Sequence, residues 1–106
     1  MRKAKVYLHG LEAGILEELL PGKAYRFSYK ATYLGEPVSL MMPISQRSYE
    51  YANFPAVFEG LLPEGWQLEG LLRRLKIDRN DFFKQLMVTG GDLVGAITVE
   101  EVTEDA

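Results

Sequence analysis

Tyr25-Arg26-Phe27-Ser28-Tyr29-Lys30 alternates an aromatic with a polar residue three times, and its reading decides the fold. Successive side chains of a strand point to opposite faces, so the stretch predicts a strand with three rings on the core side and polar groups in water. A strand wet on one face belongs to an antiparallel sheet whose other face is covered. The cover has to come from elsewhere in the chain.

Outward from this strand, Leu20-Pro21-Gly22-Lys23 is a turn, and residues 12–16 before it read as a strand in which Gly14 marks a bulge or a close backbone approach. Val6 and Leu8 alternate with Lys5 and Tyr7, which predicts a strand over residues 4–8 that turns at His9-Gly10. In the other direction, residues 32–37 read as a loop around Gly35 and residues 38–42 as a short fourth strand ended by Pro43. Residues 45–53 are polar and read as a surface loop that carries Tyr49 and Tyr51.

The period then changes. Phe54, Val57, Phe58, Leu61 and Leu62 recur at helical spacing behind Asn53 as N-cap, with Pro55 near the first turn and Pro63 as the stop. A second helix from about Gly65 to before Asp78 carries Leu68, Leu71, Leu72 and Leu75 on one face and turns Glu69, Arg73 and Arg74 outward. A third, capped by Asp78 or Asn80, holds Phe82, Phe83, Leu86 and Met87 and ends at Gly90 or Gly91. The last strand covers residues 95–99 or slightly beyond, ahead of an acidic tail from about residue 100. The expected class is α+β: a largely antiparallel sheet of four to five strands covered on one face by about three helices.

With 106 residues, 47% hydrophobic and 25% charged, the chain is expected to form one domain over residues 1–106 around one core. The absence of cysteine removes disulfides, thiolate metal sites and thiol nucleophiles together, and fits a reducing compartment, so the cytoplasm is expected. His9, Gly10 and Glu12 interrupt the apolar run behind the basic N-terminus too soon for a signal peptide. No stretch reaches the roughly 18 to 20 apolar residues that span a bilayer, so no membrane partner is expected. A net charge of −3 opposes non-specific nucleic-acid binding. Arg73, Arg74, Lys76, Arg79 and Lys84 form a local basic cluster, read as the solvated face of helices with a direct DNA contact as the alternative.

Catalytic chemistry is thin. His9 is the only histidine and lacks triad neighbours. Glu17 with Glu18, and Glu100 with Glu101, are adjacent and do not face each other. Asp78 and Asp81 are explained by capping. Thr89-Gly90-Gly91-Asp92-Leu93-Val94-Gly95 is rich in glycine, but its order of helix then strand is the reverse of a nucleotide loop, and it lacks the Lys-Ser/Thr pair. Tyr49, Tyr51 and Phe54 are read as a packed loop in preference to a base-stacking platform, since Arg47 and Glu50 cancel. No catalytic, cofactor or metal residue is assigned.

Gly60-Leu61-Leu62-Pro63-Glu64-Gly65-Trp66 places the only tryptophan directly after a Pro/Gly turn. Trp66 either plugs the space between the first two helices or is offered to a partner. The leucines on both sides already supply the apolar face, and Pro63 and Gly65 shape a projecting turn. Pro63, Glu64, Gly65 and Trp66 are therefore the candidate partner-binding residues.

Four segments in order carry a family resemblance: Val6-Tyr7-Leu8 with Ala13-Gly14-Ile15-Leu16; Pro37-Val38-Ser39-Leu40-Met41-Met42-Pro43; Phe54 through Leu62-Pro63-Glu64-Gly65; and Gly91-Asp92-Leu93-Val94-Gly95-Ala96-Ile97. From about residue 3 to 100 the chain resembles the N-terminal subdomain of HipA-type serine/threonine kinase toxins. The resemblance implies a subdomain that supports the kinase core and does no chemistry, and the chain lacks the Gly-rich loop, strand lysine and catalytic-loop residues of a kinase. The family includes a split arrangement in bacteria, in which the subdomain is a separate antitoxin, HipS, encoded with a shortened kinase, HipT, and a helix-turn-helix protein, HipB. Glu64-Gly65-Trp66 looks like that stand-alone version. The implied partners are a HipT-like kinase and, in the same complex, a HipB-like DNA-binding protein, with no direct nucleic-acid contact. The alternatives are an N-terminal fragment of a HipA-like kinase and a nucleic-acid-binding regulator resting on the basic cluster; a small enzyme using His9 or carboxylates is the weakest reading.

Overall fold

The computed structural model describes residues 1–92 and 96–102. Five strands, β1 (Lys3–Leu8), β2 (Leu11–Leu20), β3 (Ala24–Tyr29), β4 (Ser48–Tyr51) and β5 (Ile97–Val102), form one sheet in the order β4-β3-β2-β1-β5. Every neighbouring pair is antiparallel. Between β4 and β5 the chain makes α1 (Ala56–Glu59), α2 (Gly65–Leu75), α3 (Phe82–Thr89) and a 3-10 turn, Gly90–Asp92. The α+β class is as expected.

The alternation of β3 is realised residue by residue: Tyr25, Phe27 and Tyr29 are buried, and Ala24, Arg26 and Ser28 are half-exposed. Register aligns the inner face across strands. Ala4 lies opposite Leu16, Leu16 opposite Phe27, and Val6 opposite Val99. Phe54, Phe58 and Leu62 from the α1 region and Phe83 and Leu86 from α3 close the core over these residues. Tyr25 meets Phe54 edge-on with centroids 5.4 Å apart, Phe27 meets Phe58 tilted at 5.8 Å, and Tyr25 stacks with Phe83 at 6.5 Å, edge-to-face and offset-stacked arrangements being those that aromatic quadrupoles favour. On the outer face Glu17 receives Arg26 at 3.1 Å and Lys3 at 3.8 Å.

The β1–β2 hairpin turns on His9 and Gly10, both with positive φ as a two-residue I′ turn requires. Opposite Val6 and Tyr7 the register skips Ala13, a bulge that buries Ala13 and Gly14 in succession. Gly14 serves both readings given for it. It adjoins the bulge, and a Cβ there would meet the Ser28 carbonyl oxygen at 2.2 Å.

Sequence and structure part at several places, the first helix among them, which spans only Ala56–Glu59 before turns carry the chain to Leu62. β2 continues to Leu20, well past residue 16. Residues 38–42 form turns instead of a fourth strand, because the tyrosines of β3 and β4 take the backbone groups a ladder would need. The Tyr29 hydroxyl donates to the Met42 carbonyl and accepts from Val38 N–H at 3.0 Å, and the Tyr49 hydroxyl donates to the Pro43 carbonyl at 2.6 Å. The fourth strand is β4, inside the stretch read as a loop, with Tyr49 opposite Phe27 and Tyr51 opposite Tyr25. Pro55, not Asn53, stands at the N-cap position of α1. Asp81, not Asp78 or Asn80, caps α3, its Oδ1 accepting from Lys84 N–H at 3.1 Å. Asp78 instead closes the preceding turn onto Asn80 N–H at 2.7 Å.

β5 begins at Ile97 and takes in Glu100, Glu101 and Val102. The glycine-rich stretch forms the end of α3 and the 3-10 turn as far as Asp92; residues 93–95, with the proposed start of the last strand at Gly95, lie outside the described residues, as do residues 103–106.

Candidate functional site

α1 ends at Gly60, two further turns carry the chain through Leu61 and Leu62, and Pro63 prevents the helix from continuing. Leu62 is buried, so the chain is pinned just before it projects. Glu64 is extended (φ −129°, ψ 168°) at the N-cap of α2 and makes no side-chain capping bond. Gly65 follows with φ +59°, a left-handed conformation that costs a side chain about 1 to 2 kcal/mol. Pro63 and Gly65 thus shape the turn, and Trp66 follows it in the first turn of α2.

Trp66 is 82% exposed. The core-plug reading of this residue does not describe the structure: Leu71 and Leu72 bury α2 against the domain, and Leu68 is half-buried beside them. Of the four candidate residues, Pro63 is half-buried and Glu64, Gly65 and Trp66 are exposed, contiguous on one turn. The indole thus leaves in water most of the surface, about 150 to 250 Å², that a tryptophan can bury.

A second apolar feature escaped the sequence reading. Because residues 38–42 turn, Leu40 and Met41 stand in solvent, Leu40 at 91% exposure. Met41 forms one rim of a cleft of about 440 Å³ whose other walls include Met42, Tyr51, Pro55 and Val57. No signal short of the tyrosine hydrogen bonds distinguishes this turn from a strand.

The strongest electrostatics lie elsewhere. Glu18 is on the inner face of β2 and only 5% exposed, and Arg2 grips it in a fork, Nε to Oε1 at 2.8 Å and Nη2 to Oε2 at 2.7 Å. The same guanidinium reaches Asp81 at 2.9 Å and lies 5.2 Å from the Phe83 ring centre. The hydrogen bonds from Arg2 hold the Glu18 carboxyl below its ordinary range, with burial acting the other way. For Asp81 burial acts upward, and the bonds from Arg2 and Lys84 N–H outweigh it, leaving the net shift downward. A polar cleft of about 310 Å³ surrounds these groups. Every partner is a structural one, and the cluster ties the start of β1 and the cap of α3 to the sheet. The period-two pattern contained the signal: continued back from Ala4 and on from Leu16, it puts Arg2 and Glu18 inward.

The remaining candidates stay apart. His9 is exposed on the hairpin turn, and Asp78 stands by the cap of α3. Among the described residues no three His, Asp or Glu side chains converge to hold a metal ion, and no helix is long and apolar enough to cross a membrane. Of the basic cluster, Arg79 is paired with Glu69, whereas Arg73, Arg74, Lys76 and Lys84 are exposed.

The family model for the HipA N-terminal domain matches residues 4–100. The chain belongs to the HipA N-terminal domain family. A solved structure described as the N-terminal domain of HipA toxin superimposes with a TM-score of 0.79 at 32% sequence identity, covering 99% of this chain and 96% of that one. An uncharacterized protein of Haemophilus influenzae is 34% identical over 101 residues, which is 95% of this chain and 93% of that protein. The matched unit is the N-terminal domain of HipA, so these 106 residues carry no kinase catalytic domain and are not an enzyme of that kind. The fold implied by the four sequence segments is the fold observed.

Proposed function

We propose that this HipA N-terminal domain is an antitoxin of a bacterial HipBST-like toxin–antitoxin system, which binds and neutralises a HipA-type serine/threonine kinase lacking this domain. The observation that carries the reading is the exposure of Trp66 beside a turn shaped by Pro63 and the left-handed Gly65. In this reading the indole enters the kinase cleft that otherwise receives nucleotide or substrate, with Glu64 as its polar neighbour. Neutralisation then needs no chemistry from the antitoxin, in keeping with a chain without nucleotide motifs. The Haemophilus influenzae relative, of which the match covers 93%, supports a protein made of little more than this domain. A helix-turn-helix DNA-binding protein completes the complex, and the antitoxin itself makes no direct contact with nucleic acid.

The test is co-purification with the kinase encoded beside this chain, followed by kinase assays with wild type and Trp66→Ala. An interface aromatic of this type contributes about 2 to 4 kcal/mol, so the variant should bind about 30-fold to 1000-fold more weakly and lose neutralisation. A variant that binds and neutralises normally removes the anchor role. Absence of any complex with the wild type removes the antitoxin reading.

A further inference from the structure

An α-helix advances 100° per residue, so residues four and seven positions after Trp66 lie on its own face. These are Gly70 and Arg73. Leu68, Leu71 and Leu72, which seat α2 on the domain, lie on the opposite side. Trp66, Gly70 and Arg73 thus form one stripe along the solvent face of α2, with an exposed indole at one end and an exposed guanidinium about 10 Å away at the other.

Gly70 is a poor residue for a helix interior, costing about 1 kcal/mol relative to alanine. Its own surroundings give no reason for it, since a Cβ added there would meet nothing within 4 Å. What it provides is a notch between the two large side chains. Arg73 acts inside the domain only through its charge, near Glu69 and the C-terminal end of α2. Glu69, the only carboxylate of α2, is held by Arg79 in a two-pronged pair at 2.5 and 2.7 Å, and no salt bridge engages Arg73 among the described residues. Arg74 and Lys76 are also exposed but lie off the stripe.

We propose that the Trp66–Gly70–Arg73 stripe docks lengthwise in an acidic groove of a protein partner. Trp66 fills an apolar pocket, the notch at Gly70 admits the groove wall against the helix backbone, and Arg73 pairs with a partner carboxylate about 10 Å from that pocket. Helix-in-groove recognition uses this spacing of anchors. The occupant is a protein and not a nucleic acid, because the stripe carries one cation beside an apolar anchor: that matches a single carboxylate next to a pocket, whereas the successive phosphates of a polyanion would meet one cation and then a chain of net charge −3. Arg74 and Lys76, off the stripe, act on encounter alone. The proposal rests on Trp66 being the anchor for the kinase and adds the carboxylate and the wall.

The experiment measures association and dissociation rates of the purified neighbouring kinase at low and high salt against wild type, Trp66→Ala, Gly70→Leu, Arg73→Glu and Arg74→Glu, each checked for folding by circular dichroism. Gly70→Leu should keep or raise the melting temperature and weaken binding at least tenfold. Arg73→Glu should speed dissociation about tenfold or more at both salts, and Arg74→Glu should slow association only at low salt. Loss of binding in Trp66→Ala with Gly70→Leu and Arg73→Glu unaffected overturns the stripe and leaves the anchor standing. Insensitivity to all four overturns both. Tight, salt-steep binding of the wild type to an oligonucleotide, weakened by Arg73→Glu, overturns the choice of a protein partner.

Discussion

α3 and α2 are consecutive in the chain and built for opposite ends. In eight residues α3 buries Phe83, Gln85 and Leu86, has its first turn capped by Asp81, and is tied through that cap to Arg2 and the sheet. Buried Gln85 is satisfied as well, donating to the Arg79 carbonyl at 2.9 Å. In eleven residues α2 buries only Leu71 and Leu72, starts without a side-chain cap and puts its largest side chain in water. One helix spends its residues on holding the fold; the other is held by the fold and presents its face. On the proposed function, stability and recognition are separated along the sequence, and substitutions in one helix should leave the role of the other nearly untouched.

The largest expected effect is on the α3 side. Phe83 is fully buried between Tyr25, Phe54 and the Arg2 guanidinium, so Phe83→Ala should cost about 3 to 5 kcal/mol, read as a shifted midpoint in urea unfolding. A loss below about 1 kcal/mol would erase the contrast between the helices.

Next comes Arg2→Met, which leaves the buried Glu18 carboxylate without its cation. Complete burial would put the cost at about 3 to 5 kcal/mol; with Arg2 35% exposed, about 2 kcal/mol at neutral pH is expected. The sign with pH follows from the downward shifts at Glu18 and Asp81. Carboxyls depressed in the folded state stabilise it above their unfolded pKa of about 4, and that contribution is lost as pH falls through the depressed values. The difference between wild type and Arg2→Met should therefore shrink on acidification; a constant difference from neutral pH to strong acid would show that the guanidinium acts by packing on Phe83 alone.

The smallest effect is expected at Trp66. Trp66→Ala should change unfolding free energy by no more than about 0.5 kcal/mol, in contrast to the loss of partner binding proposed for it. Should this variant unfold the domain, α2 belongs with α3 as a structural helix.

Much of the fold was legible because alternation in β1 and β3 and helical spacing in α2 and α3 are properties of local sequence. The 38–51 region was not. Its strand and its turn were exchanged, since the turn is held by the hydroxyls of Tyr29 on the preceding strand and Tyr49 on the following one, contacts that leave no local periodicity. At the site, the projecting turn was legible from Pro63 and Gly65, which act through backbone geometry. The exposure of Trp66 was not decided by sequence, because an aromatic at helical spacing beside leucines fits a core equally well. Leu40 and Met41 were misplaced together with their turn, and the burial of Glu18 was not legible because a second strand ending at residue 16 stops two residues before it.

The position of the only indole has a spectroscopic consequence. In most domains tryptophan emission shifts to the red on unfolding; here the native state already emits as a hydrated indole, so heating or urea should move that band little while circular dichroism reports the loss of structure. Added partner should shift the same band to the blue. If the proposed docking holds, the unmodified chain carries its own reporter, nearly silent to folding and responsive to the partner.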